Sequence, residues 1–197
     1  LLNKPRIITM KATVSIALLV CTLPVCAQDL AALTGETRTT VLPVIPKVIA
    51  TMQEAVATEG VAGAIPVCKD LAPQLIAQKR AETGWDIRRV SLKTRNAERG
   101  TPDAWEAVQL ADFDRRAASG EKPEAIEKSE IVSINGRPVL RYMKALPVSE
   151  VCLGCHGPVD GLDAELRRKL ADHYPNDRAT GYAKGQIRGA LTVKRPL

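Results

Sequence analysis

Apolar residues recur along the chain with two different periods. Within residues 30–57, Val41, Ile45, Val48, Ile49, Met52 and Val56 fall at helical spacing, which predicts a long N-terminal helix. Pro43 and Pro46 kink that helix or define its true start. Gly60 to Ala64 is a break. A second helix is predicted over 65–82, with Leu71, Leu75 and Ile76 on one side, Pro73 inside it and Gly84 ending it. Trp85 to Leu92 mixes β-branched and polar residues and predicts a strand. Lys93 to Gly100 is a basic, polar loop. Thr101-Pro102-Asp103 opens a helix to about Ala118, with threonine as N-cap, proline first and acids in the first turn. Glu130–Ile134 and Pro138–Ala145 are strands around Asn135-Gly136, a strong hairpin turn. Asp163–Ala171 is a short helix, Tyr174–Gly185 an irregular loop and Ile187–Val193 a last strand. This order predicts an α+β domain, an antiparallel sheet with flanking helices and a long N-terminal helix.

The first 27 residues follow another logic. Lys4, Arg6 and Lys11 are basic, no acid precedes Asp29, and Ala12 to Leu23 is an apolar run of 12 residues. Val25-Cys26-Ala27 offers a small-residue cleavage site, so 1–27 is expected to be an export signal. Met10-Lys11 is its more natural start. The apolar run is too short to span a bilayer, so no stable membrane span is expected after cleavage. The expected location is periplasmic or secreted. Residues 28–60 are then the N-terminal helix and 61–197 the main domain. The net charge is +6, three charges of which leave with the signal. What remains does not suggest nucleic acid as a partner.

Chemistry concentrates at Cys152-Leu153-Gly154-Cys155-His156. C-x-x-C-H is the attachment signature of a c-type haem. Each cysteine can add across one porphyrin vinyl group, and one tight turn presents both sulfurs to one edge of the ring. The adjacent histidine then points at the iron. A thioredoxin-like redox pair competes, but it needs a βαβ context and no His156. Half a zinc site also competes, but no second ligand pair follows. One covalent haem c is therefore the expected cofactor. Cys21 and Cys26 go with the signal, which leaves Cys68 as a lone thiol. All six aromatics lie between Trp85 and Tyr182, and a haem would help to fill so aromatic-poor a core.

Further phrases accompany this motif. They are Ala64-Ile65-Pro66-Val67-Cys68-Lys69-Asp70-Leu71-Ala72-Pro73, Gly84-Trp85 with Arg89-Val90-Ser91-Leu92-Lys93-Thr94-Arg95-Asn96, and Pro102-Asp103-Ala104-Trp105-Glu106. Later come Tyr174-Pro175-Asn176-Asp177-Arg178-Ala179-Thr180-Gly181-Tyr182 and Gly185-Gln186-Ile187-Arg188-Gly189-Ala190. In this order they resemble the c-type haem-binding sensor domains with a PAS-like fold, over about residues 60–193. Members of that family stand alone as secreted proteins or precede histidine kinases and chemoreceptors. The resemblance implies a PAS-like sheet, His156 as one iron ligand and Cys68 as the opposite one. Thr94 stands where the family commonly has proline, and Met143-Lys144-Ala145-Leu146-Pro147 replaces a more aromatic stretch, which brings Met143 in as a pocket candidate.

Read without the resemblance, Cys68 is equally well a buried free cysteine, and His173, Met52 and Met143 stay open as sixth ligands. Arg88, Arg89, Lys93 and Arg95 are candidates to pair with the haem propionates, since guanidinium binds carboxylate bidentately; Arg89 and Arg95 are preferred. The expected function is a redox or diatomic-gas sensor that signals to a separate protein partner. A periplasmic electron-transfer cytochrome is the alternative. No nucleophile, acid–base pair or second cofactor motif stands out, so an enzyme is not expected.

Overall fold

The computed structural model describes residues 29–197; the expected export signal lies outside the described residues. The N-terminal helical stretch divides in two at Leu42-Pro43: α1 spans Leu30–Val41 and α2 spans Val44–Gly63. Asp29 caps α1 by accepting the Ala31 N–H at 2.8 Å. Gly60 leaves helical geometry at φ 75°, where a residue without Cβ is favoured. The expected break therefore falls on Gly60 itself, and a last turn follows it.

Residues 67–83 hold a π turn, Val67–Leu71, running into α3, Ala72–Thr83. Pro73 explains the change of winding. It has no N–H, and its ring crowds the carbonyl four residues back. The Ala72 N–H bonds to the Val67 carbonyl, five residues back. The freed Lys69 carbonyl accepts Arg99 Nη1 at 3.0 Å. Cys68 sits inside this turn.

Strand β1 (Asp86–Val90), a short helix α4 (Ala97–Gly100), α5 (Ala104–Ala118), β2 (Glu127–Ile134) and β3 (Arg137–Pro147) follow. Then come α6 (Leu153–His156), α7 (Ala164–His173) and β4 (Ile187–Pro196). The sheet is antiparallel in the order β1-β4-β3-β2. The α+β architecture matches the one expected from the sequence. Helix α5 starts later than the Thr101-Pro102 signal indicates, because Asp103 is the N-cap. Its carboxylate accepts the Glu106 N–H at 2.9 Å, while the Glu106 carboxylate accepts the Asp103 N–H at 2.8 Å. This reciprocal box outcompetes a threonine cap.

Period-2 alternation distributes side chains to two cores. On one sheet face Val90, Met143, Ala145 and Ala190 pack with Leu110 and Phe113 of α5. On the other, Ile87, Tyr142, Leu191 and Val193 pack with Val41 and Val44, and with Leu75 and Ile76 of α3. Met143 thus faces α5. Helix α1 is tied to the sheet by Arg38, which pairs with Glu127, and Tyr142 Oη donates to the same carboxylate at 2.9 Å.

The charges around Asp103 give a pH prediction. Burial alone would raise its pKa, but the Glu106 N–H, Arg141 and Lys194 outweigh that and hold it down at about 2. A depressed carboxylate contributes stability that is present above its unfolded pKa and is lost as pH falls through its folded one. Asp103 is one third exposed, so its share, discounted for screening, is about 1 kcal/mol. Denaturant melts of the wild type and Asp103→Asn should converge between pH 4 and pH 2. An unchanged gap down to pH 2 would remove Asp103 from the acid limb.

Candidate functional site

Helix α6 is a single turn made by the C-x-x-C-H residues. So short a helix satisfies few of its own carbonyls, and distant residues take them. Arg95 Nη2 donates to the Cys155 carbonyl at 2.7 Å, the Tyr182 N–H to that of His156 at 2.9 Å, and the Gly181 N–H to that of Gly157 at 2.8 Å. On its other side, a Cβ on Gly154 would stand 3.7 Å from Val61, so the end of α2 lies directly on the turn. Cys155 is buried among Ala62, Ile65, Leu162, Leu166, Leu170 and Tyr174. Burial, with smaller contributions from neighbouring groups, pushes its thiol up to about 11. Cys152 is half-buried, its Sγ 3.2 Å from Ser149 Oγ.

His156 is held by its ring. Its Nδ1 lies 2.6 Å from the Ala179 carbonyl, which can only accept, so Nδ1 carries the proton and Nε2 is left with its lone pair. Burial, then the charges of Arg188, Arg95 and Arg89, pushes the imidazole down to about 2. It is therefore neutral at any ordinary pH, as a metal ligand must be.

His156 and Cys68 line one cleft of about 460 Å³ between α3, β1 and the α4 region, together with Ala72, Ile76, Arg89 and Tyr174. That volume falls in the range of small-molecule sites. His173 stands elsewhere, exposed at the end of α7, with Nδ1 3.2 Å from Lys69 Nζ. Met52 is half-buried on α2 and does not line the cleft; Met143 is buried on the far side of the sheet. Among the sixth-ligand candidates, the structure brings Cys68 alone into the cleft with His156.

The candidate arginines separate by strand phase and by loop contacts. Arg88 turns to the α5 face and pairs with Glu106 at 2.8 Å. Arg89, on the opposite phase, is exposed and opens onto the cleft. Arg95 is engaged by Asp177 at 3.0 Å and by the Cys155 carbonyl. Lys93 Nζ donates to the Thr180 carbonyl and lies 4.3 Å from the Tyr182 ring centre. Sequence reasoning missed Arg188. It is buried, donates through Nη1 to Ser91 Oγ at 3.0 Å and brings Nε to 3.3 Å from His156 Nδ1. It also missed Ala179 and Tyr182 as supports of the turn. Their signal lay in the Asp177–Tyr182 and Gly185–Ala190 phrases, which carry no spacing rule of their own.

The donor set suits a haem. A neutral imidazole with a fixed tautomer and a thiol share the cleft, two cysteines flank the histidine turn, and cationic groups stand ready for carboxylates. Among the described residues no group of three or more His, Cys, Asp or Glu side chains converges as a site for a bare metal ion. None of the described helices is long and apolar enough to cross a membrane.

A search of curated proteins finds no relative. Among solved structures, the crystal structure of the cyanobacterial haem protein Tll0287 superposes with a TM-score of 0.65. The two share 23% identity, over 85% of this chain and 96% of the other. The Tll0287-like family model matches residues 24–196, nearly all of the chain and every element of this site, in agreement with the resemblance carried by the motifs; the chain belongs to the Tll0287-like family.

Proposed function

We propose that this protein is an exported single-haem c-type sensor of redox state or of a diatomic gas. Cys152 and Cys155 would carry the haem, and His156 and Cys68 would hold its iron. The observation that carries this reading is the fixing of His156, with Nδ1–H on the Ala179 carbonyl, in the lining of the cleft that Cys68 also lines. That Tll0287 is a haem protein supports the cofactor. Bound there, haem iron supplies one-electron chemistry and affinity for small diatomic ligands.

The chain's own residues account for the switching. Ala179, Tyr182, Gly181 and Arg95 hold the histidine turn from four directions, so His156 stays in place. Cys68 is held less firmly. It rides a π turn between the Gly60 kink and Pro73, none of whose own residues is buried. Cys68 would hold oxidised iron as a thiolate, and one-electron reduction with proton uptake at Sγ would leave its turn free to move. This is a two-state element biased by redox state. It distinguishes the sensor from an electron carrier, which keeps both ligands in both states.

Expression with haem-attachment machinery should give a coloured protein heavier than its polypeptide by one haem, with colour that survives acid–acetone extraction. A colourless protein of unmodified mass would end the c-type reading. Carbon monoxide binding by the ferrous protein favours the sensor. A ferrous protein that takes up no carbon monoxide and keeps its conformation is an electron carrier.

A further inference from the structure

Two guanidinium groups beside His156 have no carboxylate partner among the described residues. Arg188 is 6% exposed. Its contacts are Ser91 Oγ at 3.0 Å, the Lys93 carbonyl at 3.1 Å and the imidazole of His156 at 3.3 Å, with the Tyr182 ring centre at 5.6 Å. None of these is an anion. Arg89 opens into the same cleft with no hydrogen bond or ion pair among the described residues. The nearby acids are otherwise placed. Asp177 holds Arg95, Glu106 lies on the other sheet face with Arg88, and Glu98, which lines the cleft, is exposed.

The two groups also feel each other. Both line the cleft, and each presents a positive charge to it. Like charges that share a cleft repel, and Arg188, being buried, has lost hydration as well. Such a pair persists where an anion completes it, and guanidinium matches carboxylate in a planar two-point bond. Both line a cleft of about 460 Å³, which has room for a small anion.

We propose that Arg89 and Arg188 form a carboxylate-binding pair that anchors the acidic arms of the ligand held in the cleft. If those arms are the propionates, the proposal rests on the haem reading. A free small dicarboxylate is the other source of the same chemistry.

Resonance Raman and thermal melts of the full-length protein separate the sources. For propionates, the propionate bending modes should shift in Arg89→Gln and in Arg188→Gln and move back toward wild type in Arg89→Lys, while added succinate leaves the melting midpoint unchanged. For a free dicarboxylate, those modes stay fixed and succinate raises the midpoint. Arg89→Gln should then weaken succinate about ten-fold or more, the worth of one charged hydrogen bond. Fixed modes together with no succinate response would overturn the pair. If the protein carries no haem, the haem reading has failed, and the succinate melts alone decide: a response lost in Arg89→Gln keeps the pair, and its absence removes it. Arg188→Gln can fail to fold because Arg188 is buried. Arg89, open to the cleft, then carries the decision.

Discussion

Glu106→Ala is expected to cost about 3–5 kcal/mol of stability, the usual penalty for removing one partner of a buried ion pair. Glu106 is fully buried. It accepts Arg88 Nη2 at 2.8 Å, Thr192 Oγ1 at 2.9 Å and the Asp103 N–H at 2.8 Å, and it faces Arg141 Nη2 at 3.2 Å. Alanine takes from Arg88 its close acid, leaving Asp86 at 3.8 Å, and leaves Arg141 with Asp103 alone, at 2.8 Å. Arg141 is buried, and its Nε has no partner even in the wild type. The α5 cap loses one limb as well. For a domain of this size the melting midpoint should fall by roughly 10 °C. Glu106→Gln, which keeps acceptors for Thr192 and the cap, should lose clearly less. Urea melts measure both. A Glu106→Ala loss within about 0.5 kcal/mol would mean that the network contributes no more than an ordinary surface contact. The cleft side of the sheet, and any spectrum arising there, should be unaffected.

Cys68→Ser is expected to remove the low-spin thiolate signature from the ferric electron paramagnetic resonance spectrum while the haem stays covalently attached. It should also raise the reduction potential, because a thiolate donates electron density and favours the oxidised metal. The expectation stands on placement. Pro73 forces the wide turn, Arg99 takes the carbonyl that the turn frees, and Cys68 lines the cleft with His156. A spectrum and potential identical to wild type would make Cys68 a structural thiol. Met52, Met143 and His173 lie outside the cleft, so an external ligand would then be sought.

The architecture was largely legible because its signals are local. The β1 alternation that sends Ile87 and Arg89 one way and Arg88 and Val90 the other is written in four consecutive residues. The boundaries were less legible. Thr101-Pro102 reads as a strong helix start, yet the reciprocal bonds of Asp103 and Glu106 move it. Strand β2 begins at Glu127, three residues before the expected start at Glu130, because pairing with Lys144 and Met143 extends it. The C-x-x-C-H turn is contiguous and was plain. What holds it was not: Ala179, Tyr182 and Arg188 reach His156 from 23 to 32 residues away, through a loop with no period. Met143 illustrates the same limit. Its phase on β3 is clear, but which face carries the cleft emerges only when β1, β3 and β4 pair.

Strand β4 is last along the chain yet lies inside the sheet, between β1 and β3. Every ladder bond between β1 and the β2–β3 hairpin passes through it. In a chain made and delivered from its N-terminus, Cys152 to His156 emerge while the sheet is still in two pieces. Arg188 arrives with the strand that joins them. About 30 residues separate His156 from Ile187, a lag of roughly 2–6 s at ~5–20 residues per second of synthesis. For that interval the two cysteines sit on an unfinished domain, and the arrival of β4 completes it.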